Sequence, residues 1–253
     1  EARSGGLTNL LSKHLPAAIG LGRRAIIMDA ADRNLHQIYL QERPDINMAR
    51  TILQQVFQAV AHLHDQKLMH GDLKFLNVVR SQLDGRLRLI DFDAGAIFSS
   101  DENETFAGAK FSSAILPPEM FFELKDETER QSFEVYWPRE SEADQELWRK
   151  VAPLKAKGSR SFVVRSFRVG DDDEPIDAKG LPYELVEASA KIDVWSLGAM
   201  PFMPAVGEPL VSSTRDDDCA SGDAMRVLYE WGIKPEAVQR RLESVTDPAA
   251  RDL

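Results

Sequence analysis

Two short apolar runs, Val78-Val79 and Leu87-Arg88-Leu89-Ile90, stand on either side of Leu83-Asp84-Gly85. Asp-Gly between apolar runs is a strong short-range hairpin signal, because both residues tolerate the positive φ of a tight turn. The pattern predicts two antiparallel strands. Such a hairpin returns the chain to where it started, so residues just before the first strand and just after the second share one sheet edge. Before the first stand Asp72, Lys74 and Asn77, and after the second stands Asp91.

Two carboxylates, an amide and an ammonium at one edge are the groups phosphoryl transfer requires. One carboxylate orients the attacking hydroxyl and accepts its proton. A carboxylate and an amide oxygen hold Mg²⁺ against nucleotide phosphates, and a lysine neutralises charge on the moving group. His70-Gly71-Asp72-Leu73-Lys74-Phe75-Leu76-Asn77 and Asp91-Phe92-Asp93 resemble the H-R-D-L-K-x-x-N catalytic loop and D-F-G metal motif of the eukaryotic protein kinase family. The resemblance implies ATP and Mg²⁺ as cofactors. It makes Asp72 the catalytic base, Lys74 the contact to the transferred phosphate, and Asn77 and Asp91 the metal ligands.

The resemblance extends in both directions. Arg24 to Met28 reads as a strand, implied to be the last of the kinase small lobe. Asp29-Ala30-Ala31 would then be the hinge that meets adenine, with Met28 as gatekeeper. Asp32 is within reach of a ribose hydroxyl, or is a solvated turn residue, and Val79 lies with Met28 in the adenine pocket. Residues 91 to 119 resemble the activation segment, ending in Pro117-Pro118-Glu119 for A-P-E. Ser112 falls where Ser/Thr kinases place a hydroxyl on the catalytic loop. Lys74, two residues after Asp72, is the Ser/Thr form of that loop. Asp193-Val194-Trp195-Ser196-Leu197-Gly198 matches the D-V-W-S-x-G helix. Asp193 would cap that helix and brace the catalytic loop by accepting backbone N–H bonds.

The remaining pattern is mostly helical. Residues 34–41 form a short helix before Pro44. Ala49, Ile52, Leu53, Val56, Phe57, Val60, Ala61 and Leu63 recur at helical spacing over 46–65, with Asp45 or Asn47 as cap. His62 and His64 at its end do not share a face, which argues against a metal pair. Helices are also expected at 221–231, at 235–245 with Pro235 first, and after Asp247. Leu7, Leu10, Leu11 and Leu15 are spaced like a short helix face. Pro201 and Pro204 fall inside the helix opened by Asp193, where an interior proline costs about 3 kcal/mol. Residues 120–180 depart from the family as an insertion. It has a helix near 142–151 capped by Ser141, strand-like alternation at Ser132–Trp137 and Ser161–Val169, and the solvated acidic run 171–174. It is expected to pack on the outside of the lobe.

A chain of 253 residues with net charge −10 and a single cysteine, Cys219, argues against a general nucleic-acid surface and fits a reducing compartment. No apolar run spans a bilayer. The expected fold class is α+β and protein-kinase-like. A mainly helical large lobe with a small catalytic β-hairpin fills 32–253, and residues 1–31 are a remnant of the small lobe and hinge. The small lobe is otherwise largely absent. Gly5-Gly6 and Gly20-Leu21-Gly22 do not form its phosphate-binding loop, so the chain reads as part of a longer protein and is expected not to turn over alone. The expected activity is transfer of the ATP γ-phosphate to Ser/Thr of a protein substrate, in the cytoplasm. Two alternatives stay open. Gly71 and Asp93, in place of the family's arginine and glycine, fit a pseudokinase scaffold. His70-Gly71-Asp72 also fits a small-molecule phosphotransferase of the aminoglycoside or choline kind.

Overall fold

The structure is a computed structural model and describes residues 30–100, 104–151, 154–155, 160–169, 178–246 and 248. The expected strand at 24–28, Met28 and Asp29, the leucine face of residues 7–15, the acidic run and the helix after Asp247 lie outside the described residues. The chain divides after Ala30 into two units, and every helix and strand described lies in the second, Ala31–Leu253.

In chain order the elements are β1 (Ala31–Asn34), α1 (Leu35–Glu42), α2 (Ile46–Asp65), β2 (Leu68–Met69), β3 (Val78–Ser81), β4 (Leu87–Leu89), β5 (Ala96–Ile97), β6 (Phe106–Ala107) and β7 (Phe121–Leu124). There follow α3 (Glu127–Tyr136), α4 (Glu142–Val151), β8 (Leu154–Lys155), β9 (Ser161–Val164), β10 (Val186–Glu187), α5 (Ala190–Ala199), α6 (Phe202–Val206), α7 (Gly222–Trp231) and α8 (Pro235–Leu242). The fold is α+β. Small antiparallel sheets, β1-β3-β4, β2-β5, β6-β10 and β7-β9-β8, are set among the helices.

Helix starts follow local chemistry. The Asn34 carboxamide accepts from Gln37 N at 2.8 Å while the Gln37 side chain accepts from Asn34 N at 3.1 Å, a reciprocal cap on α1. Asp45 caps α2 through Met48 N at 2.8 Å. Ala49, Leu53, Val56 and Val60 form the buried stripe of α2, and the last three share one cluster with Leu73, Val78 and Met200. Each large apolar side chain buried this way contributes about 1.5–3 kcal/mol. The stripe therefore fixes α2 against the chain on both sides of the hairpin.

The proline conflict resolves as a break. Helix α5 ends at Ala199, and Pro201 stands at the N-cap of the separate helix α6. Pro204 is then the third residue of α6, where its missing N–H has no intrahelical partner to lose. Asp193 lies in the first turn of α5 rather than at its cap, which is Ser189.

The segment 120–180 differs most from expectation. Residues 127–136 form helix α3, where alternation over Ser132–Trp137 predicted a strand. Asp126 caps it through Glu129 N at 2.9 Å, and Glu129 returns a bond to Lys125 N at 2.6 Å. Strand β9 is central in its sheet and is buried on both faces. Phe162 and Val164 join the main core with Phe121, Ile192 and Leu228, and Val163 points into a second core with Phe133, Trp137 and Tyr183. A strand covered on both faces reads as a continuous apolar run, so it offers no one-sided pattern. The segment is core, not an external addition. Arg160 secures it, with Nε and Nη2 on Glu123 at 2.6 and 2.7 Å and Nη1 on Glu230 of α7 at 2.9 Å.

Candidate active site

The hairpin forms as expected. Val78, Val79 and Arg80 pair with Leu89, Arg88 and Leu87, and Gly85 turns with φ +69°. One pair further on, Ile90 N donates to Asn77 O at 3.0 Å. Asn77 and Asp91 therefore meet at the same sheet edge.

Asp72 is nine-tenths buried. Its Oδ2 accepts from Lys74 Nζ at 3.0 Å and from Asn77 Nδ2 at 3.1 Å, and the same amide nitrogen donates to Asp72 O at 2.8 Å. Its Oδ1 is buried with no hydrogen-bond partner. Lys74 Nζ also donates to Ser112 Oγ at 2.7 Å, so the expected contact between activation segment and catalytic loop is present. The adjacent Ser113 continues the chain of bonds. Its N and Oγ donate to Asp218 Oδ1 at 2.9 and 3.2 Å, and its Oγ accepts from Cys219 N at 2.8 Å.

The loop is held from below by Asp193, which has no exposure. Its Oδ1 accepts from Gly71 N at 2.9 Å and its Oδ2 from His70 N at 2.8 Å. His64 Nε2 reaches the same Oδ2 at 2.9 Å. The brace was expected from the sequence, but His64 was not. Its partner lies far along the chain, and no local signal marks the pair. His70 is fully buried as well. Its Nδ1 accepts from Asp72 N at 3.3 Å and its Nε2 faces Ile90 O at 3.1 Å, a pattern satisfied by the neutral ring protonated on Nε2. Its ring lies 4.9 Å from that of Phe92, joining the His70–Asn77 loop to the Asp91–Asp93 turn.

Gly71 has φ +77°, and a Cβ there would stand 2.3 Å from Ala94 O. On this backbone any side chain at position 71 would overlap the Ala94 carbonyl. Asp91 also has positive φ, +65°. Such a conformation in a non-glycine residue is held by its surroundings and concentrates at functional sites. Asp93 is drawn away into an exposed ion pair with Lys110 at 2.5 Å.

On the expected nucleotide side, Ala31, Asp32 and Val79 lie on adjacent strands, with Ala31 opposite Ser81, Asn34 opposite Val79 and a bulge at Asp32. The Asp32 carboxylate is engaged by Arg80, whose Nε donates to it at 3.0 Å, and Glu42 accepts from Arg80 Nη1 at 3.0 Å. The Arg80 guanidinium holds both carboxyls below their ordinary range.

Residues that could hold Mg²⁺ are Asn77 and Asp91. Among the described residues no group of three or more His, Cys, Asp and Glu side chains is placed to bind a metal. Two protein ligands suffice for Mg²⁺, which takes the rest of its octahedron from phosphates and water. Asn77 fits such a role, because committing its amide nitrogen to Asp72 turns its oxygen elsewhere. The orphaned Asp72 Oδ1 fits an incoming hydroxyl donor.

The protein kinase domain family matches residues 22–136. Among curated proteins, probable serine/threonine-protein kinase mps1 of Dictyostelium discoideum is 38% identical over 68 residues, 27% of this chain and 7% of that protein. The hormonally up-regulated neu tumor-associated kinase of Mus musculus is 36% identical over 95 residues, 36% of this chain and 13% of that protein. The mitochondrial serine/threonine-protein kinase ppk24 of Schizosaccharomyces pombe is 41% identical over 75 residues, 28% of this chain and 16% of that protein. The chain thus spans a small part of each.

Proposed function

We propose, on the match of residues 22–136 to the protein kinase domain family, that the chain is a serine/threonine kinase catalytic region, moving the ATP γ-phosphoryl group to a protein hydroxyl. In this reading residues 32–253 are the large lobe, residues 1–31 are a remnant of the small lobe and hinge, and ATP-supplied work is done inside the cell.

The observation that carries the reading is the division of labour at Asp72. One oxygen is fixed by Lys74 and Asn77, and the other is buried and free to accept. A substrate hydroxyl donating to Oδ1 would be oriented for attack, and its proton would pass to that oxygen as the new O–P bond forms and the bond from the γ-phosphorus to the bridging oxygen breaks, with ADP as the leaving group. Lys74 Nζ, already between Asp72 and Ser112, would sit beside the transferred group and offset its charge. Asn77 and Asp91 would hold Mg²⁺, which when bound neutralises charge on the phosphates. Catalysis of this kind is positioning and electrostatics, so the rigidity supplied through Asp193 is part of it.

In the full-length protein, Asp72→Asn should remove turnover while leaving Mg²⁺-dependent nucleotide binding intact. Asp91→Asn should weaken that binding. Unchanged turnover in the Asp72 variant would sink the assignment.

A further inference from the structure

Arg160 stands just before β9, in the segment that departs from the family pattern. Its Nε and Nη2 donate to Glu123 of β7 at 2.6 and 2.7 Å, and its Nη1 donates to Glu230 of α7 at 2.9 Å. A planar guanidinium shared between two carboxylates fixes direction as well as distance, which an ammonium does not. Its Cζ lies 5.0 Å from the ring centroid of Phe162, whose ring lies 5.2 Å from that of Tyr229 on α7. Arg160 therefore fastens the C-terminal end of α7 to the sheet β7-β9-β8.

The other end of α7 is fastened to the candidate site. Ala114 N donates to Asp217 O at 2.9 Å, Ser113 N to Asp218 Oδ1 at 2.9 Å, and Cys219 N to Ser113 Oγ at 2.8 Å. Ser221 then caps α7 through Ala224 N at 3.2 Å. Ser112, one residue before these bonds, takes the hydrogen bond from Lys74. Between its ends α7 buries Ala224, Met225 and Leu228. Apolar burial is non-directional, so it holds the helix in place without setting its tilt. The polar contacts at the two ends set the tilt. A helix of 10 residues is about 15 Å long, so a tilt released at Glu230 is delivered at Asp218.

We propose that Arg160 is a positioning residue for the Lys74–Ser112 contact, acting through Glu230 and the length of α7. The segment that is foreign to the family pattern thereby governs the geometry beside Asp72. The kinase reading enters only in what the Lys74–Ser112 contact does for turnover.

The test compares Arg160→Met, which keeps an apolar stem over Phe162, with Glu230→Met. The control is Arg168→Met, which removes another arginine of the same segment, one paired with Asp144 at 2.5 Å. Amide hydrogen exchange is read on the 253-residue chain, and turnover on the full-length protein. In Arg160→Met and Glu230→Met the Ala114 and Cys219 amides should exchange about tenfold faster, the range of one hydrogen bond to a charged group. The Ile90 amide of the hairpin should keep its rate, and the control should match the parent throughout. Turnover should fall about tenfold with the KM for nucleotide unchanged, since the groups on the nucleotide side are untouched. The double variant should match Arg160→Met alone, because both changes cut the same bond. Unchanged exchange at Ala114 and Cys219, equal acceleration at Ile90, additive losses in the double variant, or an unchanged kcat in a parent that turns over would each overturn the role of Arg160. A parent without Asp72-dependent turnover, with exchange as expected, would overturn the kinase reading and leave the link from Arg160 to Ser112 standing.

Discussion

His64 Nε2 lies 2.9 Å from Oδ2 of Asp193, a carboxylate that also accepts the backbone N–H groups of His70 and Gly71. Three donors from residues 64–71 converge on one side chain far along the chain, with no exposure. Asp193→Ala would strand two buried N–H groups, each costing about 1–3 kcal/mol. The variant is expected to lose roughly 3–5 kcal/mol of stability, read as a lower urea midpoint, and the His70 and Gly71 amides should exchange faster. His64→Ala removes one donor at a site open to water on one side, and should cost about 1–2 kcal/mol.

Restoring the family's arginine should harm this protein. Gly71 has φ +77° and no room for a Cβ against Ala94 O. Gly71→Ala and Gly71→Arg are both expected to lower stability by more than about 2 kcal/mol, because strain and overlap arise at the first side-chain carbon. Equal melting temperatures for both variants and the parent would show that the Ala94 loop yields freely.

The segment 120–180 is expected to be indispensable. Val163 and Phe162 have no exposure and face different clusters. Phe162→Ala should cost about 3–5 kcal/mol and Val163→Ala somewhat less, from lost burial plus the cavity left behind. Deleting 124–178 should abolish the cooperative unfolding transition seen by tryptophan fluorescence. A sharp transition in the deletion variant would make the segment a separable attachment.

Alkaline pH should weaken the fold through buried acids. Burial pushes the Cys219 thiol from 9.0 up to about 12 and the Tyr183 hydroxyl from 10.0 up to about 12. Between those values the unfolded chain releases these protons before the folded one does, so it binds fewer protons and stability falls as pH rises. The contribution is fully present below about pH 9 and lost towards pH 12. Tyr183→Phe should flatten part of the decline in urea midpoint above pH 10. Below that range the Cys219 thiol is protonated and buried, and iodoacetamide should label it only at the rate of unfolding.

What the sequence revealed follows from range. The hairpin, the caps at Asp45 and Ser141, and the set Asp72, Lys74, Asn77 and Asp91 are written in residues a few positions apart, where turn chemistry and spacing act directly. Ser112 on Lys74 was reached only through family resemblance. Residues 132–137 alternate in polarity, yet Asp126 and Glu129 close a helix cap just before them, and the cap prevailed over the alternation. His64 with Asp193, Arg160 with Glu123 and Glu230, and the double-sided burial of β9 depend on partners far along the chain. Pro201 and Pro204 read as a fault in one helix because the break between two helices leaves no other local mark.

Strand β9 also sets an order of assembly. Phe121 pairs with Val164 and Leu124 with Ser161, while α3 and α4 belong to the chain between them. The core around Phe162 then needs Ile192 of α5 and Leu228 of α7 as well. During synthesis the His70–Asn77 loop and the hairpin leave the ribosome long before the strand that completes the core beside them. Until β9 arrives, Phe121 and Met120 lack part of their cover, and β7 has no strand partner. Contacts of such sequence separation close slowly, because loop entropy is lost before they reward it. The interval of greatest risk for this chain, when an exposed strand edge can pair with a neighbour, falls after the Asp72 loop is made and before Val164 is.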